Sequence, residues 1–398
     1  MTLVPDAAPA LRAPLVPAQQ RTAAHPPAGP AGPAAGGRVA VVLGTRPEAI
    51  KLAEIIRRLG SEALVVHTGQ HYDAAMWADV TAELGFGTEP LALGVGGTSR
   101  GAQLGAAVEA LDAVFTVHRP AAVVVQGDTT AALAGALAGN ARDLPVVHVE
   151  AGLRSFDRRM PEEHNRVLID HLADLCCAPT ATSVAHLRDE GIPADRILLT
   201  GNTVVESVLH LRPTPDRARE FLAGLGLTAG FLLLTVHRPE NADDPAVLRT
   251  VLTEVRDAAA AAGLPVVFPA HPRTLHRLRE DGLGELVAGL TVVPPQPPAE
   301  FLALEEAARL VVSDSGGVQE EVSVLKKRLV VVRRSTERPE VLGTFASLVP
   351  AGIGLAEEIR TALAEDPAAL TALDSPYGDG SASRVIVERV RDLVGARR

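Results

Sequence analysis

Short apolar runs alternate along this chain with segments that have the spacing of amphipathic helices. The first run, Arg38-Val-Ala-Val-Val-Leu43, is continuous, which is typical of a strand buried on both faces of a parallel sheet. Further runs cover residues 63–67, 121–125 and 145–149, and another short strand closes at residues 178–180. This regular alternation predicts right-handed βαβ units and a doubly wound sheet.

A second series of apolar runs begins after residue 230. Its runs cover residues 231–236, 265–268, 290–293, 310–313 and 328–332, and each leads into a polar or proline-containing turn. The composition near Gly201-Asn202 and Leu211-Arg-Pro-Thr-Pro-Asp216 indicates a linker between the two series. With 398 residues, of which 47% are hydrophobic, the chain is long enough for two domains. We expect Rossmann-like domains at 38–208 and 209–379, and a C-terminal helix at about 380–398 that packs back on the first.

Residues 1–37 differ from the rest of the chain in composition. They are rich in Ala, Pro and Gly and show no periodicity, so they offer too little apolar surface to offset the entropy of ordering. We therefore expect a disordered tail. The segment also lacks the charged start and apolar core of a signal peptide.

Charge and cysteine content narrow the class of protein. The net charge is −10 and no block of basic residues occurs, which argues against nucleic acid or an anionic membrane as the main partner. No apolar run reaches membrane-spanning length. Cys176 and Cys177 are adjacent in an apolar run, so we expect buried, reduced thiols rather than a disulfide, and a cytoplasmic protein.

The most informative polar segment runs from His148 to Arg166. It follows the strand at 145–149 and precedes a helix whose start is marked by Pro161-Glu162-Glu163. Loops at the carboxyl ends of parallel strands are where open α/β sheets bind ligands. The alternative is a solvated charged loop in which Glu162 and Arg166 form a surface pair.

Two other strand ends suit an anionic ligand. Gly44-Thr-Arg-Pro-Glu48 turns into a helix that carries Lys51, so a positive helix end and the cations Arg46 and Lys51 occur together. Ser315-Gly-Gly317 is a tight turn whose N–H groups can approach a pyrophosphate, and Glu321, one turn on, could accept from ribose hydroxyls. The alternative for the first is an ordinary helix cap with two exposed cations. The dinucleotide fingerprint G-x-G-x-x-G is absent after the first strand, which counts against NAD.

Carboxylates follow strands of the first series, and cationic side chains follow strands of the second. Asp128 and Glu150 belong to the first group, and His237 and Arg338 to the second. Facing each other across a cleft, they would suit deprotonation of a sugar carbon while a nucleotide leaves. Taken singly, Asp128 could instead be a helix N-cap and His237 a satisfied loop histidine.

Seven motifs in order give the chain a family resemblance over roughly residues 38–395. They are Gly44-Thr-Arg-Pro-Glu-Ala-Ile-Lys51, Gln126-Gly-Asp-Thr-Thr130, His148-Val-Glu-Ala-Gly-Leu-Arg154, Pro161-Glu-Glu-His-Asn-Arg166, His237-Arg-Pro-Glu-Asn241, Asp314-Ser-Gly-Gly-Val-Gln-Glu-Glu321 and Thr336-Glu-Arg-Pro-Glu340. The chain resembles the non-hydrolysing UDP-N-acetylglucosamine 2-epimerases. The resemblance implies two Rossmann-like domains with a glycosyltransferase-B-type cleft, a UDP-sugar substrate, no metal, no nicotinamide and a homodimer.

The resemblance also implies roles for single residues. Matching positions give catalytic roles to Asp128, Glu150, Glu162 and His237 and substrate-phosphate and sugar contacts to Arg46 and Lys51; they place Gln296 and Phe301 at the uracil, and Ser315, Gly316, Gly317, Glu321 and Arg338 around the UDP. The implied reaction interconverts UDP-N-acetylglucosamine and UDP-N-acetylmannosamine. It proceeds by anti elimination of UDP to 2-acetamidoglucal, followed by re-addition with inversion at C2.

Several alternatives stay open at this point. Tyr72-Asp73 and Gly96-Gly-Thr-Ser-Arg100 resemble the branch that acts on UDP-2,3-diacetamido-uronate sugars. A hydrolysing epimerase and a glycosyltransferase of the same architecture are further enzyme readings. A catalytically inactive UDP-sugar-binding protein is the alternative outside enzymes, but a binder of an anion does not need three cleft carboxylates.

Overall fold

The computed structural model describes residues 37–69, 84–228 and 230–396. The first part of the chain forms a parallel sheet. Within these residues the sheet has seven strands in the order β3-β2-β1-β4-β5-β6-β7, all paired in parallel. The strands are β1 Val39–Leu43, β2 Ala63–His67, β3 Leu91–Ala92, β4 Ala122–Gln126, β5 Val146–Val149, β6 Leu175–Ala178 and β7 Ile197–Leu199. Every residue of β1, β2 and β4 is buried, because neighbouring strands and helices enclose the middle of the sheet.

Helices cover both faces of this sheet. They are α1 Arg46–Leu59, α2 Arg100–His118, α3 Thr130–Asn140, α4 Pro161–Leu172 and α5 Ala181–Asp189. Proline stands in the first turn of α1 and α4, where a missing N–H costs nothing. α3 lies unusually close to the strands: a Cβ at Gly135 would come within 2.7 Å of Val125 Cγ1, so the glycine permits this approach. We call this sheet and its helices the first lobe.

A second parallel sheet forms the core of what we call the second lobe. In the described residues it has six strands in the order β10-β9-β8-β11-β12-β13. They are β8 Leu232–Thr235, β9 Val266–Pro269, β10 Thr291–Val293, β11 Leu310–Ser313, β12 Leu329–Val331 and β13 Ala346–Leu348. The strand order reverses between β8 and β11 here, and between β1 and β4 in the first sheet. Ligands of open α/β sheets bind at such reversals, beyond the carboxyl ends of the strands.

The remaining helices cover the second sheet and connect the lobes. They are α6 Val204–Leu211, α7 Pro215–Gly224, α8 Pro239–Ala242, α9 Pro245–Ala261, α10 Pro272–Glu280, α11 Pro298–Ala307, α12 Gly316–Leu325, α13 Leu355–Ala364 and α14 Ala382–Ala396. Short 3-10 segments lie at Gly60–Glu62, Ala194–Arg196, Gly284–Val287, Pro339–Val341 and Pro367–Leu370. α6 contacts both α1 and α12, and α14 packs against α1, where Arg391 Nη2 donates to the Arg58 carbonyl at 3.0 Å.

The apolar core is continuous from one lobe to the other. One buried cluster includes Val41 and Ile55 of the first lobe, Val205 of α6, and Phe231 and Val311 of the second lobe. The opposite face of each sheet has its own separate cluster. The lobes therefore share buried apolar surface beside the cleft, which stabilises their relative position.

The fold class predicted from the sequence, two Rossmann-like doubly wound domains, is confirmed. The predicted strands at 63–67 and 310–313 match β2 and β11, and the other predicted strands overlap observed ones with ends shifted by a few residues. Cys176 and Cys177 are buried and free, as expected. The domain boundaries at 38–208 and 209–379 stay a prediction. The predicted tail through residue 36 and the Tyr72-Asp73 motif lie outside the described residues.

Candidate active site

Glu150 lies at the centre of a buried network at the carboxyl end of β5. Its φ of +68° is in the left-handed region that residues with a side chain seldom adopt, so the chain turns sharply where the strand ends. Its Oε2 accepts from Lys51 Nζ at 2.5 Å and from Gln126 Nε2 at 2.9 Å, and its Oε1 accepts from Arg338 Nη2 at 3.0 Å. Strained residues held by surrounding contacts in this way cluster at functional sites.

Lys51 projects from α1 and is buried between two carboxylates. Its Nζ lies 2.5 Å from Glu150 Oε2 and 2.7 Å from Glu320 Oε2. Burial alone lowers the pKa of Lys51, but the two carboxylates outweigh that effect and raise it above its ordinary value. Lys51 is therefore a buried ammonium, and the alternative reading of two exposed cations at this helix is wrong for Lys51.

Arg338 belongs to the second lobe and contacts three carboxylates, one of which is in the first lobe. Its Nε donates to Glu320 Oε1 at 2.7 Å and its Nη1 to Glu337 Oε1 at 2.5 Å, in addition to the contact with Glu150. Burial alone would lower the pKa of Arg338, but Glu320, Glu337 and Glu150 together raise it well above its ordinary value. A Cβ at Gly316 would lie 2.9 Å from Arg338 Nη1, so this position needs glycine for the guanidinium to fit.

The amino end of α12 opens beside this network. Ser315 is the N-cap, and its side chain makes no capping hydrogen bond. Ser313 Oγ fixes the turn by accepting from Ser315 N at 3.0 Å. A Cβ at Gly317 would meet nothing nearer than Glu321 Oε1 at 3.9 Å, so its surroundings are open. N–H groups in the first turn of a helix, without side chains above them, form a favourable site for a phosphate.

Asp314 positions the loop that carries His237. Asp314 is fully buried, and its carboxylate accepts from the backbone N–H groups of His237 at 3.1 Å and Arg238 at 3.0 Å. It also accepts from Asn241 Nδ2 at 3.1 Å, and its Oδ1 lies 3.3 Å from His237 Nδ1. The His237 side chain is 44% exposed and borders the cleft. His237 is therefore a loop histidine with a polar partner, as in the alternative reading, and it can also contact a ligand in the cleft.

A cavity of about 360 Å³ lies in the cleft between the lobes and gathers most of the predicted substrate residues. Its lining includes the predicted residues Arg46, Lys51, His237, Gln296, Phe301, Ser315, Gly317 and Glu321. Gly316 and Arg338 lie next to each other and are not among its lining residues, and Glu150 is connected to the cavity through its contact with Lys51. Gln296 Nε2 donates to the Pro294 carbonyl at 2.6 Å, which fixes the amide in the proline-rich turn after β10.

Asp128 lies at the end of β4, next to the end of β5, and pairs with Arg166. Both Nη2 and Nε of Arg166 donate to its carboxylate, the latter at 3.1 Å. Arg166 is buried and its Nη1 also donates to Glu163 Oε2 at 2.5 Å, so the alternative of a surface pair between Glu162 and Arg166 is wrong. The alternative of Asp128 as a helix N-cap is also wrong, because Thr129 caps α3 and accepts from Ala132 N at 3.0 Å.

Glu162 stands apart from these networks. It is exposed in the first turn of α4, one turn before Arg166. Among the described residues no hydrogen-bond or ion-pair partner is found for its carboxylate. It is not among the residues that line the cavity. The structure therefore brings Glu150 and the cations together, places Asp128 at the neighbouring strand end and leaves Glu162 at the surface of α4.

Sequence reasoning missed three acidic residues that organise the site: Glu320, Asp314 and Glu48. Glu48 is buried and accepts from Gly44 N, Thr45 Oγ1 and Thr129 Oγ1, and so ties the start of α1 to the turn beside Asp128. Burial raises the pKa of Glu48 to about 7 against the effect of these donors. All three residues lie inside the quoted motifs, but no signal in the sequence distinguishes them from their acidic neighbours.

The described segments show neither a metal-binding cluster nor a membrane-spanning helix. No group of three or more His, Cys, Asp or Glu side chains there is arranged to hold a metal ion. No helix in these segments combines the length and the apolar character that are needed to cross a bilayer.

Comparison with known proteins gives this site a family context. The family model for UDP-N-acetylglucosamine 2-epimerase matches residues 53–391. The chain belongs to the UDP-N-acetylglucosamine 2-epimerase family. A UDP-N-acetylglucosamine 2-epimerase from Methanococcus maripaludis is 36% identical over 360 residues, which is 89% of this chain and 98% of that protein. The resemblance to this family and the assignment to the isomerases are thereby confirmed.

Other family members resemble the chain to a similar degree. A UDP-2,3-diacetamido-2,3-dideoxy-D-glucuronate 2-epimerase from Pseudomonas aeruginosa is 34% identical over 364 residues, 89% of this chain and all of that protein. The crystal structure of the Methanocaldococcus jannaschii UDP-GlcNAc 2-epimerase, in complex with UDP-GlcNAc and UDP, aligns with a TM-score of 0.81 and 35% identity. It covers 89% of this chain and 99% of that one. The predicted roles of single site residues stay predictions.

Proposed function

We propose that this protein interconverts UDP-N-acetylglucosamine and UDP-N-acetylmannosamine by elimination and re-addition of UDP. The observation that carries the proposal is the position of Glu150. Its carboxylate is shared by Lys51 of the first lobe and Arg338 of the second, beside the open amino end of α12. A carboxylate, two cations and a phosphate-binding helix end thus meet in one cleft. This combination suits removal of a proton from a carbon whose neighbour loses a diphosphate.

The side chains and N–H groups that line the cavity suit the parts of a UDP-sugar. Gln296 and Phe301 supply an amide and an aromatic ring for the uracil, and Glu321 supplies a carboxylate for the ribose hydroxyls. The N–H groups at Ser315–Gly317, together with Arg46, suit the diphosphate. The sugar then extends towards Lys51 and the strand ends that carry Asp128 and Glu150. The complex of the Methanocaldococcus jannaschii relative with UDP-GlcNAc supports this class of substrate.

The proposed elimination moves one proton and one leaving group. A carboxylate removes the proton from C2, the electrons of the C2–H bond form the C1–C2 double bond, and UDP leaves with the electrons of the C1–O bond. The intermediate is 2-acetamidoglucal. Re-addition returns UDP to C1 and delivers a proton to the opposite face of C2. This sequence transfers only protons and a diphosphate ester, so it calls for no redox cofactor.

The cations of the cleft stabilise the negative charge that develops on the departing UDP. Arg338 and Lys51 are held as cations by their carboxylate partners, and a diphosphate at the α12 amino end competes with Glu150 for them. That exchange leaves Glu150 freer to accept a proton. Asp128 and Glu162 are the other proposed proton-transfer groups, and His237 is placed at the cavity by Asp314 to contact the leaving group.

A related UDP-sugar is the second candidate substrate. The Pseudomonas aeruginosa relative acts on UDP-2,3-diacetamido-2,3-dideoxy-D-glucuronate, and its identity to this chain, 34%, is close to that of the Methanococcus maripaludis enzyme. The same elimination applies to that sugar, because the change at C3 and C6 leaves the acetamido group and the hydrogen at C2. The two candidate functions therefore differ in the sugar that is bound, and the reaction is the same.

Purified protein incubated separately with the two UDP-sugars and followed by proton and phosphorus NMR tests the proposal. We expect one of them to be converted to an intact nucleotide with the inverted configuration at C2. Free sugar with stoichiometric UDP would instead identify a hydrolysing epimerase. Recovery of both substrates unchanged would contradict the proposal.

Three further features are proposed on the strength of the family resemblance. We propose a homodimer, cytoplasmic activity, and domains that divide near residue 208. Light scattering after size-exclusion chromatography distinguishes a dimer from a monomer. A monomer at micromolar concentrations would contradict the first of these.

A further inference from the structure

Glu305 is a buried carboxyl group next to the proposed ribose site. It projects from α11 and its relative exposure is 0%. No N–H or O–H group of the described residues donates to either of its carboxyl oxygens. A buried carboxylate without a donor or a cation is strongly disfavoured, so a group in this position needs a specific explanation.

The neighbour of Glu305 is the carboxyl group of Glu321 on α12. The two side chains are in hydrogen-bond contact, and Glu321 also borders the cavity in the cleft. Two carboxylates cannot hydrogen-bond to each other, since neither has a hydrogen to donate. The contact therefore requires a proton on one of the two groups.

The charges around the two carboxyl groups decide which group carries the proton. Burial and the adjacent Glu321 raise the pKa of Glu305 well above its ordinary value. Glu321 also faces charged groups from other elements. Burial raises the pKa of Glu321 to about 7, helped by Glu320 and opposed by the hydrogen bond from Glu305 and by the cations Lys51 and Arg338. Near neutral pH Glu305 is therefore the protonated partner, and Glu321 is the group that ionises.

We propose that Glu305 is a positioning residue for the nucleotide site: its carboxyl O–H donates to Glu321 and holds Glu321 as the carboxylate that receives a ribose hydroxyl. This inference rests on the proposed binding of UDP. Because a ribose hydroxyl donates more strongly to the ionised form of Glu321 than to the protonated form, binding below pH 7 favours release of the proton of Glu321 to solvent. Affinity for UDP then rises with pH up to about 7 and levels off above it.

Calorimetric titration with UDP from pH 5.5 to pH 8.5 tests the inference on wild type, E305L, E305Q and E321Q. Without the donor, the pKa of Glu321 rises further, so in E305L we expect the midpoint of the affinity profile to move up by about one pH unit. Binding near pH 7 then weakens roughly fivefold. In E305Q the amide N–H replaces the O–H, so the midpoint should stay near that of wild type. In E321Q this pH dependence should disappear.

The design separates a positioning role from a merely structural one. Replacing a buried, poorly solvated carboxyl by leucine is neutral or stabilising, so the melting temperature of E305L should equal or exceed that of wild type. UDP also carries a titrating phosphate, but its contribution is common to all four proteins and cancels in their differences. If wild type binds no UDP at any pH, the proposed function fails. If wild type and E305L both bind UDP with the same midpoint, the role assigned to Glu305 is wrong.

Discussion

Arg338 and Glu150 join the two lobes directly: Nη2 of Arg338 lies 3.0 Å from Oε1 of Glu150, although the two residues are 188 positions apart in the chain. Both side chains are buried, so the contact is screened little by solvent. The same guanidinium holds Glu320 and Glu337. Arg338 therefore holds the lobes together and orders the carboxylates of the cleft, and it is also a proposed contact of the leaving UDP.

Replacing Arg338 by methionine should impair stability and turnover together. Three buried carboxylates would lose a cation, and breaking a buried ion pair typically costs about 3–5 kcal/mol. Urea denaturation and steady-state kinetics measure the two effects. Arg360, exposed on α13 and paired with Glu357, is the matched control, and R360M should change stability by at most about 0.5 kcal/mol. An R338M protein as stable as R360M would show that the network contributes little.

Replacing Asp314 by asparagine should lower turnover through His237. The amide keeps one acceptor but turns an N–H group towards the donors of His237, Arg238 and Asn241, so the loop loses its fixed position. We expect D314N and H237A each to reduce kcat, and the double variant to be little worse than H237A alone. Fully additive losses in the double variant would mean that Asp314 acts independently of His237.

Variants of the adjacent residues Glu162 and Glu163 should distinguish a catalytic role from a structural role. Glu163 accepts from Ser155 N, Phe156 N and Arg166, so E163Q should lower the free energy of unfolding by roughly 1–3 kcal/mol. Glu162 is exposed, so E162Q should leave stability unchanged within about 0.5 kcal/mol. It should still lower turnover roughly 10²–10⁴-fold if Glu162 transfers a proton. Turnover of E162Q near that of wild type would remove Glu162 from the mechanism.

Glu48 should make stability depend on pH in a defined direction. Burial raises its folded-state pKa to about 7 from about 4.5, so its contribution to stability is full below pH 4.5 and is lost as the pH rises through 7. E48Q does not titrate. Its stability relative to wild type should therefore improve by about 2–3 kcal/mol between pH 5 and pH 8.

Urea denaturation of both proteins at pH 5 and pH 8 measures this difference. The control is E388Q, an exposed position on α14 that pairs with Arg384. E388Q should differ from wild type by the same small amount at both pH values. Equal pH dependence in wild type and E48Q would contradict a raised pKa at Glu48.

The sequence predicted the central strands of both sheets well and the edge strands of the first sheet poorly. β1, β2 and β11 are continuous apolar runs because they are buried in the middle of their sheets. β3 and β7 lie at the edges of the first sheet, are two and three residues long and are only partly buried, so their apolar runs are too short to recognise. Burial, and not strand propensity alone, made the difference.

The candidate site, too, was predictable only in part. Because parallel strands end at one edge of a sheet, the sequence could predict that Asp128 and Glu150 lie near each other. It could not predict the pairings. Glu320 and Glu321 are adjacent on α12, yet Glu320 turns to Lys51 and Arg338 while Glu321 turns to the cavity. Neighbours on a helix point about 100° apart, and only the packing of α12 decides which one enters the ion-pair network.

Exchange at C2 in D₂O tests the proposed reaction most directly. Removal and return of the C2 proton by a side chain that exchanges with solvent should place deuterium at C2 of the product. It should also label the recovered substrate, while both stay intact nucleotides. Proton NMR and mass spectrometry of the mixture, with UDP-N-acetylglucosamine and with UDP-2,3-diacetamido-2,3-dideoxy-D-glucuronate in separate reactions, measure this. We expect deuterium at C2 with at least one of the two substrates; inversion at C2 with full retention of the original hydrogen would rule out the proposed elimination.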